Sequence, residues 1–174
     1  MSLPTVRDIM MEDVVSVTPE TSVLEAHAII AEHNFDGVPV LDGEGKLVGI
    51  ITEYDLLTKA SALHLPAIGQ LLSKLETSAY DAGQIKREIA ELKTLAVGDV
   101  MNTEPLTLPD DAPFEEVLAA FRDHHRVNPI PVIDQDRRVA GVVSRYDVLK
   151  VLSVIQRFSA LAGAGAAQLG MPRG

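Results

Sequence analysis

Val6–Leu57 reads VRDIMMEDVVSVTPETSVLEAHAIIAEHNFDGVPVLDGEGKLVGIITEYDLL, and Val97–Leu149 repeats its pattern as VGDVMNTEPLTLPDDAPFEEVLAAFRDHHRVNPIPVIDQDRRVAGVVSRYDVL. Equivalent residues lie 91 apart at the start of the repeats and 92 apart from Pro39 and Pro131 onward, because one residue is inserted near His125. Each copy is too small to hold a large core of its own, so the repeat predicts two similar units packed as a pseudo-two-fold pair. A ligand site between two such units is expected in duplicate.

The composition of the 174-residue chain narrows the classes of function. An apolar fraction of 47% supports a packed core, and the absence of cysteine excludes disulfides, thiolate metal sites and cysteine catalysis. The formal net charge is −10 and tryptophan is absent, so we expect no nucleic-acid partner. No run approaches the roughly 20 apolar residues that span a bilayer. The first residues also lack the apolar core of a secretion signal. We therefore expect no membrane span and a cytoplasmic location.

The pattern of apolar and turn residues in each copy predicts the order β-α-β-β-α, and hence an α+β fold. A short strand is predicted near Val14–Val17 in the first copy and near Leu106–Leu108 in the second. A helix follows, then two strands joined by a short polar turn. The second helix of each copy is expected to start at Thr52 or Ser144.

A few residues indicate where these elements begin or bend. Ser22 and Glu25 have the spacing of a helix capping box. Pro113 suits the first turn of the equivalent helix in the second copy. Pro39 and Pro131 lie within predicted strands but cannot donate to a ladder, so we expect them at edges or bends.

The repeats divide the chain into four parts. Residues 1–60 form the first repeat, 61–96 an insert, 97–155 the second repeat and 156–174 a tail of small residues, expected to be mobile. Two amphipathic stripes in the insert predict helices. Their plainer interpretation is a packing element or dimer contact, and the alternative is a partner-binding or signalling arm.

A shared motif lies where a strand enters a helix in each copy. Gly49–Asp55 and Gly141–Asp147 both read glycine, two aliphatic residues, a hydroxyl residue, two variable positions and aspartate. Glycine lets a ligand or another backbone come close, and a helix N-terminus offers free N–H groups. The aspartate can accept two hydrogen bonds from a ribose diol. The same Thr/Ser-x-x-Asp spacing is also a variant of the helix capping box, so the motif has a purely structural interpretation.

Together with this motif, the segments Gly37–Asp42 and Pro129–Asp134 and the Asp-x-Met openings of both copies resemble cystathionine-β-synthase (CBS) domains, of which a tandem pair is a Bateman module. The resemblance covers residues 6–60 and 97–152. It implies a pseudo-two-fold disc with two clefts that bind adenosine ligands such as AMP, ADP, ATP or S-adenosylmethionine.

The resemblance also implies roles for individual residues. Asp55 and Asp147 match the ribose-binding acid. The phosphate-binding candidates are basic residues near the end of the second copy's first helix, among them Arg126, with Arg145 as a second candidate. The candidate ligand-binding residues are Ser16, Thr18, Gly37, Val38, Pro39, Thr52, Asp55, Thr107, Arg126, Ile130, Pro131, Ser144, Arg145 and Asp147.

The sequence therefore predicts a regulatory ligand sensor without catalysis, catalytic cofactor or metal site. The expected partners are an adenosine-type small molecule, a second copy of the chain and an unidentified regulated protein. The homodimer prediction rests on apolar residues of the second helices, which are Leu56, Leu57, Val148, Leu149 and Leu152. The alternative is a structural dimerisation or interaction module that binds no nucleotide.

Overall fold

The computed structural model describes residues 4–60 and 94–154. The helices predicted for the insert, and the tail 156–174, lie outside these residues. In the described part of the chain, no helix has the length and apolar character needed to cross a bilayer.

Both repeats contain helices and strands in the predicted order, except that the first strand of the first repeat is only a single bridge, and the α+β class is confirmed. The first comprises a 3-10 turn (Val6–Asp8), α1 (Val23–His33), β1 (Gly37–Leu41), β2 (Leu47–Thr52) and α2 (Glu53–Asp55), which continues as a π-helical turn (Leu56–Ala60). The second comprises α3 (Val97–Val100), β3 (Leu108–Pro109), α4 (Phe114–Asp123), β4 (Ile130–Ile133), β5 (Val139–Val143) and α5 (145–154). β1 pairs antiparallel with β2, while β4 lies between parallel β3 and antiparallel β5.

The long helices begin differently in the two repeats. Ser22 caps α1, since its hydroxyl accepts a hydrogen bond from the Glu25 N–H at 3.2 Å. The prediction that Pro113 lies in the first turn of α4 is wrong by one position, because its ψ of 152° is extended and makes it the N-cap. The backbone is held extended there by a bridge to Thr5, and the Phe114 N–H donates to the Pro4 carbonyl at 3.0 Å.

The short first strands are smaller than the sequence predicts. The strand expected over Val14–Val17 is a single parallel bridge from Val17 to Val40. The Val17 N–H donates to the Pro39 carbonyl at 3.1 Å, and the next ladder bond toward the N-terminus would need an N–H on Pro39, which proline lacks. Equivalent Pro131 has the same effect, and the second copy's strand is reduced to Leu108–Pro109.

The opening segment of each repeat packs into the core of the other repeat. Val97 and Val100 are buried in the core of the first repeat, beside residues such as Val23 and Ile51. Val6 is buried in the core of the second. Backbone bonds fix both exchanges, from the Val97 N–H to Thr21 O and from the Val6 N–H to Ala112 O, each 2.8 Å. Neither core is therefore complete without residues from the other repeat.

The contacts between repeats follow the pseudo-two-fold relation. Met11 exchanges two backbone hydrogen bonds with Val142, and equivalent Asn102 exchanges two with Ile50. A residue that meets its own equivalent must lie near the axis. Asp36 meets Asn128 in this way, since the Asn128 Nδ2 donates to the Asp36 Oδ2 at 2.6 Å.

Candidate functional site

Two clefts lie between the repeats, on the two sides of the Asp36–Asn128 contact. The larger cleft has a volume of about 500 Å³. It is lined by Ile9, Met10, Met11, Asp13, Val15, His33, Asn34, Phe35, Asp36, Gly37, Val38, Pro39, Pro129, Val142, Ser144, Tyr146, Asp147 and Lys150. The smaller cleft has a volume of about 280 Å³. Its lining is Ile50, Thr52, Tyr54, Asp55, Asn102, Pro105, Leu106, Arg126, Val127, Asn128 and Pro129.

Each cleft combines the motif of one repeat with a strand entrance of the other. In the larger cleft, Ser144 and Asp147 of the second repeat lie with Gly37–Pro39 of the first. In the smaller cleft, Thr52 and Asp55 of the first repeat lie with residues just before β4. A ligand in either cleft would therefore contact both repeats.

The hydroxyl and aspartate of each motif form a capping box. The Thr52 backbone N–H and hydroxyl donate to the Asp55 Oδ2 at 3.1 and 2.6 Å, and the Asp55 N–H donates back to the Thr52 Oγ1 at 3.3 Å. In the second repeat, the Ser144 N–H and hydroxyl donate to the Asp147 Oδ2 at 2.8 and 2.6 Å. Both motifs therefore cap helices, as the structural interpretation predicts.

The cap alone does not define a site, because a similar box occurs at residues that line neither of these two clefts. The Thr5 N–H and hydroxyl donate to the Asp8 Oδ2 at 2.8 and 3.0 Å, and neither residue lines a cleft. What distinguishes Asp55 and Asp147 is that their carboxylates also line a cavity. In the described residues, no hydrogen bond reaches the Asp147 Oδ1, which leaves that oxygen able to accept from a ligand hydroxyl.

The motif glycines leave room for the opening segments of the other repeat. A Cβ on Gly141 would lie 2.6 Å from the Met10 sulfur and 2.9 Å from the Met11 carbonyl oxygen. A Cβ on equivalent Gly49 would lie 2.8 Å from the Asn102 carbonyl oxygen. Both glycines admit the exchanged opening segments. A motif glycine was expected to allow the close approach of a ligand or of another backbone, and the structure shows the approach of another backbone.

The two predicted phosphate-binding arginines differ in position. Arg126 is exposed, lines the smaller cleft and makes no ion pair or hydrogen bond with the residues described. Arg145 lines neither cleft. Its guanidinium donates to the His125 carbonyl near the end of α4 and lies 5.6 Å from the Phe121 ring centroid. Arg145 therefore contacts the end of α4, whereas Arg126 lines the smaller cleft.

The remaining predicted residues have several locations. Gly37, Val38 and Pro39 line the larger cleft. Thr18 forms a turn in which its N–H donates to the Thr21 hydroxyl at 3.0 Å, and Ile130 is fully buried in the second core. The predicted residues that line neither cleft are Ser16, Thr18, Thr107, Ile130, Pro131 and Arg145. Their roles toward a ligand stay predictions.

Several lining residues were not among the candidates. Lys150 and Tyr146 lie on α5 near Asp147, and a lysine one helical turn after the motif aspartate was a usable signal. Met10 and Met11 line the larger cleft because the opening segments are exchanged, which the spacing within one repeat does not reveal. Asn128 lines the smaller cleft because it lies near the pseudo-two-fold axis, and the position of that axis is not given by the sequence of one repeat.

Two carboxylates outside the clefts have lowered pKa values. Hydrogen bonds from the Thr5 backbone and hydroxyl lower the pKa of Asp8. The pKa of Asp42 is lowered, chiefly by the hydrogen bond from the Lys46 N–H. Among the residues described, no three metal-binding side chains come together as a candidate metal site.

Comparison with known proteins confirms the resemblance. The family model described as CBS domain matches residues 6–62 and 97–154. The chloroplastic CBS domain-containing protein CBSX1 of Arabidopsis thaliana is 26% identical over 84% of this chain. The chain spans 62% of that relative. The inosine-5'-monophosphate dehydrogenase of Methanocaldococcus jannaschii is 28% identical over 82% of the chain, which spans only 22% of that enzyme.

Two solved structures have similar folds and bound ligands. CBSX2 in complex with AMP aligns with a TM-score of 0.64 and 28% identity, covering 87% of this chain and 98% of that one. The CBS domain pair of protein MJ0100, in complex with 5'-methylthioadenosine and S-adenosylmethionine, aligns with a TM-score of 0.60 and 25% identity, covering 86% and 99%. The chain therefore belongs to the CBS domain family, and its two repeats form a tandem CBS pair, or Bateman module.

Proposed function

We propose that this chain is a regulatory module that binds an adenosine-type ligand between its two repeats and performs no catalysis of its own. The observation that carries the proposal is the composition of the clefts, each joining the Thr/Ser-Asp motif of one repeat to the strand entrance of the other. The ligands of CBSX2 and MJ0100, which are AMP, 5'-methylthioadenosine and S-adenosylmethionine, all contain adenosine and support this ligand class.

The ribose would be held by the motif carboxylates. In the larger cleft, the ribose hydroxyls would donate to Asp147, whose Oδ2 is already oriented by two bonds from Ser144. The adenine would lie against Gly37, Val38 and Pro39, which belong to the other repeat. Because such a ligand contacts both repeats, it stabilises one relative arrangement of them and shifts the population toward it.

Transmission to a partner would use the exposed faces of the second helices. Leu57 is 72% exposed and Leu149 is 59% exposed. The predicted face is smaller than expected, since Val148 is buried in the second core and Leu56 packs on the first. Pairing of these faces between two copies would give a closed homodimer. Light scattering should return twice the mass of the chain, and a monomer mass at micromolar concentration would contradict the homodimer.

Binding is tested by calorimetric titration of AMP, ADP, ATP and S-adenosylmethionine. We expect at least one to bind the parent, and the double variant Asp55→Asn/Asp147→Asn to lose about tenfold to a hundredfold or more in affinity, because charge-assisted bonds to the ribose are lost. Asp8→Asn is the matched control, since Asp8 accepts the same two hydrogen bonds from its N-cap threonine but lines neither cleft, and the change should leave binding unchanged.

The alternative function, a structural dimerisation module, predicts a different result. If the motif aspartates only cap helices, the double variant should lower the free energy of unfolding by about 1 kcal/mol per cap at most and leave nucleotide binding as in the parent. Absence of binding to the parent by all four ligands would also favour the structural module. The regulated partner protein and the cytoplasmic location stay predictions from the sequence.

A further inference from the structure

The two clefts differ in the charges beside the place where a nucleoside's 5′ group would extend. We propose that they divide adenosine ligands by the charge of that group. The smaller cleft binds a 5′-phosphate, and the larger cleft binds an adenosine derivative whose 5′ group is a thioether or sulfonium. This inference rests on the proposed function and specifies which ligand class each cleft takes.

The smaller cleft has the charge balance that a phosphate requires. Its lining contains one carboxylate, Asp55, and one guanidinium, Arg126. Asp55 is occupied by its capping box and by the proposed ribose contact, so its charge is directed at the sugar. Arg126 is exposed and makes no ion pair within 4–60 and 94–154, and guanidinium is well matched to phosphate oxygens.

The larger cleft has the opposite balance. Asn34 stands where the smaller cleft has Arg126, and Asp36 stands where it has Asn128. Asp13 adds a further carboxylate. Beyond the ribose-binding Asp147, two carboxylates therefore face one lysine, Lys150. A phosphate would meet like charges there, whereas a cationic group would be attracted.

His33 is held by its own helix and by its neighbour Phe35. Its Nδ1 lies 3.0 Å from the Ile29 carbonyl oxygen and therefore donates to it. Its ring stacks on Phe35 with centroids 5.0 Å apart and an interplanar angle of 19°. The pair presents a flat aromatic surface to the larger cleft, in place of the exposed guanidinium of the smaller one.

The remaining surface of the larger cleft suits a sulfur-containing aliphatic group. Met10, Met11, Phe35 and Tyr146 line it. Thioether and aromatic surfaces interact favourably with sulfur and with cations. The larger cleft, at about 500 Å³, also gives room for a longer extension beyond the nucleoside than the smaller cleft, at about 280 Å³.

The division is tested by calorimetric titration of AMP and 5'-methylthioadenosine, which share the nucleoside and differ in the 5′ group, with S-adenosylmethionine as the sulfonium probe. Arg126→Asn gives the smaller cleft the uncharged residue type of its counterpart. It should weaken AMP about tenfold to a hundredfold and leave 5'-methylthioadenosine unchanged. Asp55→Asn should likewise weaken AMP alone, and Asp147→Asn should weaken only the two sulfur ligands.

The reciprocal variant tests the larger cleft. Asp36→Asn keeps an oxygen that can accept the Asn128 hydrogen bond but removes one carboxylate. It should strengthen AMP binding in an Asp55→Asn background and weaken S-adenosylmethionine in the parent background, with a melting temperature near that of the parent. AMP binding that depends on Asp147 instead of Asp55, equal binding of both nucleosides by both clefts, or failure of one class to bind while the other binds would overturn the division. If neither class binds the parent, the proposed function fails and the division fails with it.

Discussion

The larger and smaller clefts are built from equivalent positions of one duplicated unit, yet they differ in volume, charge and burial. Asp147 is half-buried in the larger cleft, whereas equivalent Asp55 is only 6% exposed in the smaller. Arg126 faces one cleft and its counterpart Asn34 the other. Both sites share the capping boxes and the close approach at Gly49 and Gly141. The two repeats thus share the capping boxes and glycine contacts, whereas the side chains that face the cavities differ.

The prediction with the largest expected effect tests whether the opening segments pack equally tightly against Gly49 and Gly141. Gly141→Ala and Gly49→Ala place a Cβ against backbone oxygen at 2.9 and 2.8 Å, so each should lower the free energy of unfolding by about 1–3 kcal/mol through overpacking. Urea denaturation measures this. Gly43→Ala is the control, since its Cβ meets nothing within 4 Å. A tolerated alanine at either motif glycine would show that the opening segment on that side is loosely held.

The second prediction uses the difference in burial of the motif aspartates. Asp55→Ala removes a buried carboxylate that accepts from the Thr52 hydroxyl and N–H, and should cost about 2 kcal/mol of unfolding free energy. Asp147→Ala removes a half-buried cap and should cost about 1 kcal/mol. Denaturation midpoints of the two ligand-free variants provide the comparison. Equal losses would mean that burial does not distinguish the two caps.

The third prediction concerns the contact on the pseudo-axis. Asn128 donates to Asp36 and accepts from the Arg145 N–H at 3.0 Å, so Asn128→Ala breaks two hydrogen bonds. We expect a loss of about 1–2 kcal/mol in unfolding free energy, against about 1 kcal/mol or less for Asp36→Ala, which breaks one. A double-mutant cycle analysed by thermal unfolding measures the coupling between them. Strict additivity would show that the repeats are joined here by shape and not by this bond.

The smallest expected effect compares two residues of the hairpin turns. The lowered pKa of Asp42 means that its ionised form is favoured in the folded state. Its contribution is therefore present above the ordinary value of 3.8 and is lost as the pH falls through the lowered folded pKa. The difference in urea midpoint between the parent and Asp42→Asn should be larger at pH 7 than at acid pH. Asp136→Asn, whose side chain makes no hydrogen bond within the described ranges, should show no such change.

The sequence was sufficient to predict what depends on local pattern. The repeat, the α+β class, the cap at Ser22 and the Thr/Ser-Asp boxes all follow from the spacing of residues within one copy. The Val14–Val17 strand is lost because Pro39 has no N–H to donate at the next position of the ladder. Whether Pro39 takes that position depends on how the two segments pair, which the sequence of neither segment specifies. The position of Arg145 likewise depends on the end of α4, which approaches it only after folding.

The sequence predicted only part of the candidate site, because the rest depends on how the two repeats pack. The resemblance identified Asp55 and Asp147, but it could not say which repeat would supply the opposite wall of each cleft. Exchange of the opening segments brings Met10 and Met11 to a cleft whose aspartate lies in the other copy. No periodicity within a repeat carries that information, because a segment's sequence specifies its apolar face and not which of two similar cores receives it.

The exchanged opening segments have a consequence for cutting the chain in two. A fragment containing only the first repeat would carry Val6 without the core that receives it, and would lack the Val97 and Val100 side chains that fill its own. Each half is thus both donor and acceptor. Two separately expressed halves should complement one another into a working pair, and a single half would have to recruit a second copy of itself to bury the same surface. Because each core is completed by residues of the other repeat, we expect the two repeats to fold together as one unit.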